Sequence, residues 1–261
     1  MKQLKEYIKE GLFDDIDKLE GKNSFASNTK QLKKEIVDWV SNNYYSSYTR
    51  KSQYKLKKRT IEVDTTTTPP TVNYNYDLYA SDDITSLNNN GLFQWGKVDG
   101  SFSCSKSKSF TTLEGAPEKV GRDFSCFGCT SLKTLEGCPK EVGGNLECCD
   151  CSSLESLKGA PEKLRGSFNC SYCNSLVTLE GAPKEVGWDF LCLSCELLKS
   201  LEGAPKEVGK DFSCSSCQLL KTLEGAPKVV GGNFYCYSCG GQFTEDDVKK
   251  VSKVKKEINI G

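Results

Sequence analysis

Residues 179–200 read Leu-Glu-Gly-Ala-Pro-Lys-Glu-Val-Gly-Trp-Asp-Phe-Leu-Cys-Leu-Ser-Cys-Glu-Leu-Leu-Lys-Ser, and residues 201–222 repeat this phrase with few changes. Related phrases return every 22 residues between Val98 and Cys239. A fixed period of about 20 to 50 residues is typical of a solenoid, in which each repeat packs mainly on its neighbours. The sequence therefore predicts a stack of similar coils.

The residues of one repeat favour β-structure. The segment Phe124-Ser125-Cys126-Phe127 would place its side chains alternately inward and outward, as a strand does. Gly115, Pro117 and Gly121 mark corners, because glycine permits a positive φ and proline fixes one backbone torsion. A repeat of 22 residues is too short for a helix and two long strands. We therefore expect mainly strands and turns.

The N-terminal residues 1–45 are predicted to be helical. Apolar residues at helical spacing indicate one helix over residues 4–19. A second helix is predicted to follow the polar cluster Ser27-Asn28-Thr29, which offers an N-cap. One face of this second helix carries Leu32, Ile36, Trp39 and Val40. We expect the two helices to pack on each other, on one end of the solenoid, or on a partner.

Residues 46–73 are predicted to connect the helices to the solenoid. Aromatic and basic residues interleave over residues 44–59, and one interpretation is a nucleic-acid contact, because cations bind phosphate and aromatic rings stack on bases. We prefer a solvated connector, because short charge runs are common and the formal net charge is zero. Thr65–Thr68 with Pro69-Pro70 is typical of an extended, mobile linker.

The solenoid is assigned to residues 74–242, of which residues 74–97 form a degenerate first coil. Five residues of this first coil have the same spacing as Phe124, Cys126, Cys129, Leu132 and Leu135. They are Tyr76, Leu78, Ser81, Ile84 and Leu87. Four extra residues around Asn88–Gly91 come next. Residues 243–261 are predicted as a C-terminal capping helix that shields the last strand edge, with Thr244 as N-cap and Asp247 in a capping box.

The spacing Val120-x-x-x-Phe124-x-Cys126-x-x-Cys129-x-x-Leu132 resembles the leucine-rich-repeat signature, with one extra residue at each end. Cys129 and its equivalents would match the Asn/Cys position of that signature. Residues 4–15, followed by Leu-Glu-Gly-Ala-Pro coils, resemble uncharacterised repeat proteins encoded by bacteriophages. The resemblance implies a mainly β, leucine-rich-repeat-like solenoid of about seven coils. It implies no activity.

The fifteen cysteines follow the repeat, and there is no histidine. Three hypotheses fit Cys-x-x-Cys pairs: buried thiols that pack as small hydrophobes, a zinc or iron–sulfur site, and a redox couple. A metal site needs two pairs that converge, whereas this pattern recurs in every coil, so we favour two buried ladders and expect no metal or cofactor. The twelve ladder cysteines are Cys126, Cys129, Cys148, Cys151, Cys170, Cys173, Cys192, Cys195, Cys214, Cys217, Cys236 and Cys239, whereas Cys104, Cys138 and Cys149 lie outside this scheme.

Charge and hydropathy limit the class of partner. There are 35 basic and 35 acidic residues, so no overall field favours nucleic acid or a membrane. No apolar run approaches the roughly 18 residues that span a bilayer, and the first residues lack the apolar core of a secretory signal. We expect a cytoplasmic protein, in the host cytoplasm if it is phage-encoded.

Two columns of charge alternate in sign from coil to coil, which predicts contacts between opposite charges on neighbouring coils. The first column is Glu118, Lys140, Glu162 and Lys184, and the second is Lys119, Glu141, Lys163 and Glu185. No histidine-based catalytic arrangement is available, and no glycine-rich phosphate loop opens a helix. We therefore do not expect an enzyme.

The outward strand positions vary between coils while the framework repeats, as expected if that face recognises a partner. We predict a non-catalytic protein-binding module, because exposed apolar and aromatic residues often dominate interfaces. One alternative is an assembly component that forms homo-oligomers through the N-terminal helices, and another is a binder that neutralises a host defence. The candidate partner-binding residues are Phe127, Tyr172, Trp188, Leu191, Leu193, Tyr235 and Tyr237.

Overall fold

The computed structural model describes residues 22–45, 61–80 and 83–261. Over these residues the chain is a mainly β solenoid of about eight turns, against the seven expected. The predicted helix over residues 4–19 and most of the basic and aromatic segment, residues 46–60, lie outside the described residues.

Helix α1 and five strands form the N-terminal end, and each later coil adds two strands of two residues. The elements at this end are α1 (Lys22–Asn43), β1 (Tyr44–Tyr45), β2 (Ile61–Asp64), β3 (Thr71–Tyr74), β4 (Leu78–Ala80) and β5 (Gln94–Val98). The repeating strands are β6 (Phe102–Ser103), β7 (Lys119–Val120), β8 (Phe124–Ser125), β9 (Glu141–Val142), β10 (Leu146–Glu147), β11 (Lys163–Leu164), β12 (Phe168–Asn169), β13 (Glu185–Val186), β14 (Phe190–Leu191), β15 (Glu207–Val208), β16 (Phe212–Ser213), β17 (Val229–Val230) and β18 (Phe234–Tyr235). Helix α2 (Glu245–Val251), β19 (Lys253–Val254) and β20 (Ile258–Asn259) complete the last coil.

One side of the stack is a ten-stranded sheet, which we call the long sheet, in the order β1-β4-β6-β8-β10-β12-β14-β16-β18-β20. Its strands are parallel except for the antiparallel pair of β1 and β4. Phe168 lies beside Phe190, and Phe190 lies beside Phe212, so the register equals the 22-residue period. The predicted strand beginning at Phe124 is confirmed as β8.

A second row of strands was not predicted and lies on the Lys119–Val120 segment and its equivalents. It forms two five-stranded sheets, β2-β3-β5-β7-β9 and β11-β13-β15-β17-β19, which we call the short sheets. Pairs between regular coils, such as β7 with β9 and β13 with β15, keep the same 22-residue register. The row is therefore continuous except between β9 and β11.

The core consists of columns of like side chains. Phe102 stacks on Phe124 with ring centroids 5.8 Å apart, and Phe190 lies 5.3 Å from Phe168 and 5.7 Å from Phe212. These phenylalanines are fully buried, as are the repeating leucines, such as Leu132 and Leu135, and most of the cysteines. Each buried phenylalanine or leucine side chain contributes about 1.5–3 kcal/mol. Columns of this kind explain why the framework residues repeat.

A column of glycines lets the backbones of successive coils approach closely in the short sheets. A Cβ placed on Gly209 would overlap the carbonyl oxygen of Gly187, and one on Gly143 would overlap that of Gly121. The backbone N–H of Gly209 donates to Val186 at 2.8 Å, which joins the two coils. The backbone of Gly143 and Gly209 therefore leaves no room for a side chain.

Arg165 stands in this glycine column, and the break between the short sheets occurs there. In the described chain its backbone N–H makes no bond to Val142 that corresponds to the bond of Gly143 to Val120. Asp99 and Lys255 hold the same position in the first and last coils, and their backbone N–H groups still donate to the carbonyls of Tyr74 at 2.9 Å and Val230 at 3.0 Å. A side chain at this position therefore does not by itself prevent pairing.

Helix α1 packs on the first coil, which is one of the three placements expected. Its face of Leu32, Ile36 and Val40 is buried, and Trp39 packs against it partly exposed, as predicted. The helix begins at Lys22, so the cluster 27–29 lies inside the helix and does not cap it as expected.

Tyr44 is buried in the contact between α1 and the solenoid. Its ring lies 5.4 Å from Trp95 and 5.9 Å from Phe102, and its hydroxyl donates to the Leu87 carbonyl at 2.7 Å. The expectation that Tyr44 belongs to an accessible aromatic segment is therefore wrong. Trp95 donates to the same Leu87 carbonyl at 2.8 Å, so both polar groups are satisfied.

The Thr65–Pro70 segment, expected to be an extended linker, is the turn of a β-hairpin. Strands β2 and β3 pair antiparallel with Val63 beside Val72, and their alternate residues are buried. Thr67 donates to or accepts from Thr71 across the turn at 2.8 Å. The apolar alternation of β2 and β3 explains why this segment joins the solenoid.

The register of the first coil differs from the one expected from sequence spacing. Leu78, and not Tyr76, lies beside Phe102 in the long sheet, and Tyr76 is exposed. The expected alignment was thus displaced by two residues. A shift of two keeps each side chain on the same face of a strand, so alternation alone did not distinguish the two registers.

The C-terminal segment 243–261 is not a single capping helix. Helix α2 covers only Glu245–Val251 and is followed by β19 and β20, which pair with β17 and β18. The predicted capping box is confirmed, because Thr244 accepts from the Asp247 amide at 3.2 Å and donates its own amide to the Asp247 carboxylate. The helix is part of the last coil, with Val248 buried beneath it.

Replacing Gly209 with alanine tests the close approach of coils. The added Cβ would push against the carbonyl of Gly187, so we expect a loss of about 1–3 kcal/mol in the free energy of unfolding. Urea unfolding followed by circular dichroism measures this loss. The control is Lys199→Ala at an exposed site, expected to change stability by less than about 0.5 kcal/mol. Equal stability of both variants would contradict the packing described here.

Candidate functional site

The cysteines form two columns in the core. The second cysteine of each pair donates its thiol to the backbone carbonyl of the first cysteine in the preceding coil, with Sγ–O distances of 3.1–3.3 Å. Cys104 begins the first column, which corrects its expected place outside the scheme, and buried Ser107 takes the matching position in the second. The ladder geometry confirms that these thiols serve packing and turn hydrogen bonds.

All fifteen cysteines are free thiols. Burial is the main cause that raises the pKa of Cys148 and Cys192 well above the ordinary thiol value, so these groups keep their protons near neutral pH. Within residues 22–45, 61–80 and 83–261, no three Cys, Asp or Glu side chains are grouped to hold a metal ion. The metal and redox hypotheses stay untested predictions.

Two cysteines, Cys149 and Cys239, are partly exposed. A hydrogen bond from the Cys214 thiol is the main cause that lowers the pKa of Cys239 to about 7. Burial, followed by the nearby charge of Glu147, raises the pKa of Cys149 to about 11. The two accessible thiols therefore differ strongly in the pH at which they become nucleophilic thiolates.

Tyr172 lies in the turn between two ladder cysteines and has φ of 61°. The equivalent residues of the other coils, such as Gly128, Asp150 and Ser194, also have positive φ. Most of them are small or polar, whereas a tyrosine in the left-handed conformation costs roughly 1–2 kcal/mol. Tyr172 is 54% exposed, so much of its ring surface is open to solvent. Tyr172 is therefore a strong candidate for contact with a partner.

Trp188 is 49% exposed at the corner that precedes β14. The Lys210 ammonium group lies 4.3 Å from the centre of its ring, in the equivalent corner of the next coil. A cation over an exposed ring stabilises this arrangement by about 0.5–1 kcal/mol. The indole is thus held in position, with half of its surface left open.

The remaining candidates lie along the outward side of the long sheet. Leu191 lies between Asn169 and Ser213 in the sheet, and Leu191 and Leu193 are half-buried. Tyr235 is half-buried and Tyr237 is 38% exposed, two coils further along.

The candidates do not form one continuous patch. Coils in a sheet are separated by about 4.8 Å, so a separation of two coils amounts to roughly 10 Å. Tyr172 and the two leucines come from adjacent coils and form a central group. Phe127 is half-buried and lies two coils before Tyr172, across the coil of Cys149.

Sequence reasoning missed an exposed apolar pair on the turn after the second cysteine. Leu197 and Leu219, which occupy equivalent positions in adjacent coils, are 42% and 38% exposed. Earlier coils carry serine at this position, for example Ser153 and Ser175. The change from serine to leucine is visible in the sequence, but it lies outside the strand positions at which the repeats were expected to bind a partner.

The predicted contacts between opposite charges are confirmed for three pairs on neighbouring coils, one of which is Lys184 with Glu162. In the described chain, Lys140 makes no ion pair with Glu118 or Glu162, so the prediction fails there. Lys119 lies 2.7 Å from Glu141, and Lys163 lies 2.8 Å from Glu185. The hydrogen bond with Glu141 is the main cause that raises the pKa of Lys119. All of these groups are exposed, so the pairs chiefly favour the correct register of the coils.

In the part of the chain that the structure describes, neither helix has the length and apolar character needed to cross a membrane. Comparisons of this chain with protein-family models, with curated proteins and with solved structures gave no match.

The thiol ladders predict a pH-dependent pattern of alkylation. With iodoacetamide, we expect Cys239 to reach half of its maximal rate near pH 7 and Cys149 only near pH 11, because the thiolate attacks and its fraction rises with pH through the pKa. Peptide mass spectrometry after alkylation measures each site. Cys239→Ser should remove the low-pH phase alone. Rapid native labelling of buried ladder thiols such as Cys148 would contradict their burial.

Proposed function

We propose that this chain is a non-catalytic protein-binding module that uses the outward side of the long sheet. The supporting observation is the left-handed, exposed Tyr172 beside the half-buried Leu191 and Leu193 of the next coil. These side chains depart from the repeat at positions where the coil itself needs only small or polar residues. Rigid aromatic residues next to aliphatic ones are typical of the energetically dominant centre of an interface.

The buried framework residues are the same from coil to coil, whereas the outward residues proposed to bind a partner differ. Phe168, Phe190 and Phe212 hold the same buried position, while the neighbouring outward residues Asn169, Leu191 and Ser213 differ. This division between a constant core and a variable face is the reason for proposing a leucine-rich-repeat-like binding role. The proposed setting is the cytoplasm of a bacterial host, with the chain encoded by a bacteriophage, and it rests on the sequence resemblance alone.

The competing proposal is an assembly component that self-associates through its N-terminal helices. The buried face of α1, with Ile36 and Val40 fully enclosed, is already occupied by the first coil. Self-association through α1 would therefore have to use its exposed side. Self-association through α1 gives no reason for the exposed Tyr172 beside Leu191 and Leu193. We therefore favour the protein-binding role.

The test replaces three apolar residues, Trp188, Leu191 and Leu193, with the residues at the equivalent positions of the next coil. Trp188→Lys, Leu191→Ser and Leu193→Ser together reproduce Lys210, Ser213 and Ser215, which the same framework already accommodates. We expect this triple variant to unfold at nearly the wild-type temperature and to lose more than about tenfold in partner binding, since a central aromatic residue often contributes about 2 kcal/mol or more.

Quantitative affinity capture from a lysate of cells that express the chain would measure this loss. The matched control is Leu197→Ser with Leu219→Ser, which removes exposed apolar surface from another part of the coil. Partners retained by this control and lost from the triple variant support the proposal. Equal capture by all three proteins would assign binding to a different surface.

A further inference from the structure

A cleft of about 850 Å³ lies at the break between β9 and β11, on the short-sheet side of the solenoid. It is lined by parts of consecutive coils, including Lys97, Lys119, Lys140, Gly143, Lys163 and Arg165. Its volume falls within the range of small-molecule sites, roughly 300–1,000 Å³. The cleft is not part of the outward face of the long sheet, so ligand binding here would be independent of the proposed protein-binding role.

The acidic residues that line the cleft are already paired. Glu141 accepts from Lys119 at 2.7 Å, and Glu162 accepts from Lys184 at 3.1 Å. Lys163 is likewise neutralised by Glu185, which lies in the next coil. The opposite charges within each pair cancel, so these pairs add no net charge to the cleft.

Lys140 and Arg165 are the cations that remain, since Lys97 is paired with Asp99. Within the described residues, neither Lys140 nor Arg165 has a carboxylate at ion-pair distance, and both side chains are exposed on opposite sides of the break. Lys140 belongs to the coil of β9 and Arg165 directly follows β11. Two uncompensated positive charges from adjacent coils therefore face one cleft.

The backbone adds a third donor. In the regular coils the N–H after the short strand donates to the preceding coil, as that of Gly187 does to Leu164 at 2.8 Å. The corresponding N–H of Arg165 has no backbone acceptor in the described chain. A free backbone N–H beside a guanidinium and an ammonium group is a combination suited to an anion with several oxygens.

We propose that this cleft binds a small oligophosphate group, with Arg165 and Lys140 as its principal contacts. The planar guanidinium of Arg165 suits two oxygens of one phosphate, and Lys140 supplies a point charge for a neighbouring phosphate. Because the charges lie on separate coils, an anion with two or more linked phosphates fits better than a single one. Arg165, which stands where most coils have glycine, thus supplies the main ligand of the cleft.

The test is isothermal titration of the full chain with sodium tripolyphosphate at low ionic strength. We expect binding by the wild-type chain, and a loss of at least about tenfold in Arg165→Ala and in Lys140→Gln. Arg165→Ala and Arg165→Gly both remove the guanidinium group, and Arg165→Gly also restores the repeat residue, so both should bind weakly. Positions 140 and 165 are exposed, so folding is expected to persist in each variant.

The matched control is Lys206→Gln, which removes the same charge from the same column as Lys140, three coils away and also exposed. It should bind within about twofold of the wild type. Absence of wild-type binding, or an equal loss in Lys206→Gln and Lys140→Gln, would overturn the proposal, since the second result would mean diffuse attraction. A parallel titration with ATP identifies the source of the group: equal affinities indicate the phosphate chain alone, and tighter ATP binding indicates that a nucleoside is also recognised.

Discussion

The close approach of successive backbones at the glycine column is the constraint on which the rest of the structure depends. Gly143, Gly187 and Gly209 leave no room for a side chain, and each donates a hydrogen bond to the coil before it. This contact fixes the distance between coils, and that distance in turn aligns the columns of phenylalanine, leucine and cysteine. The 22-residue period keeps these contacts in register from coil to coil, and the longer final coil, which includes α2, still pairs β19 with β17.

The thiol ladders depend on the same spacing. Each second cysteine, such as Cys173, reaches the carbonyl of a first cysteine one coil earlier, here Cys148 at 3.1 Å. A buried carbonyl without a partner costs about 1–3 kcal/mol, so even a weak thiol donor contributes to the stability of the turn. Cysteine combines this donor with a small apolar body, which suits a narrow core. The ladders thus act as part of the framework.

The repeat, the buried core and the charge pairs were predictable from the sequence, because each depends on residues that recur at fixed spacing. The register of the first coil was not predictable from the sequence. Placing either Tyr76 or Leu78 beside Phe102 gives the same alternation of buried and exposed side chains. The strand after α2 was not predictable, because the sequence around Ile258 has no cysteine or phenylalanine of the repeat. Irregular coils therefore need knowledge of strand pairing, which spacing does not supply.

The sequence identifies the individual candidate residues for partner binding, but it does not show which of them lie close together. Trp188, Leu191 and Leu193 stand out from the repeat, but the conformation of Tyr172 became evident only from its backbone φ. The importance of Arg165 was also hidden in the sequence. A change from glycine to arginine looks like surface variation until the strand order shows that the row of short strands is broken at this coil.

Native-state amide hydrogen exchange across residues 113–239 tests the role of the glycine column most directly. If the column joins the coils, the amides of Gly143, Gly187 and Gly209 should exchange slowly, since opening them requires separation of two coils. The amide of Arg165, which has no backbone acceptor in the described chain, should exchange much faster than these three. Equal protection of Arg165 and the glycines would show an unbroken row of strands and would contradict the proposed break.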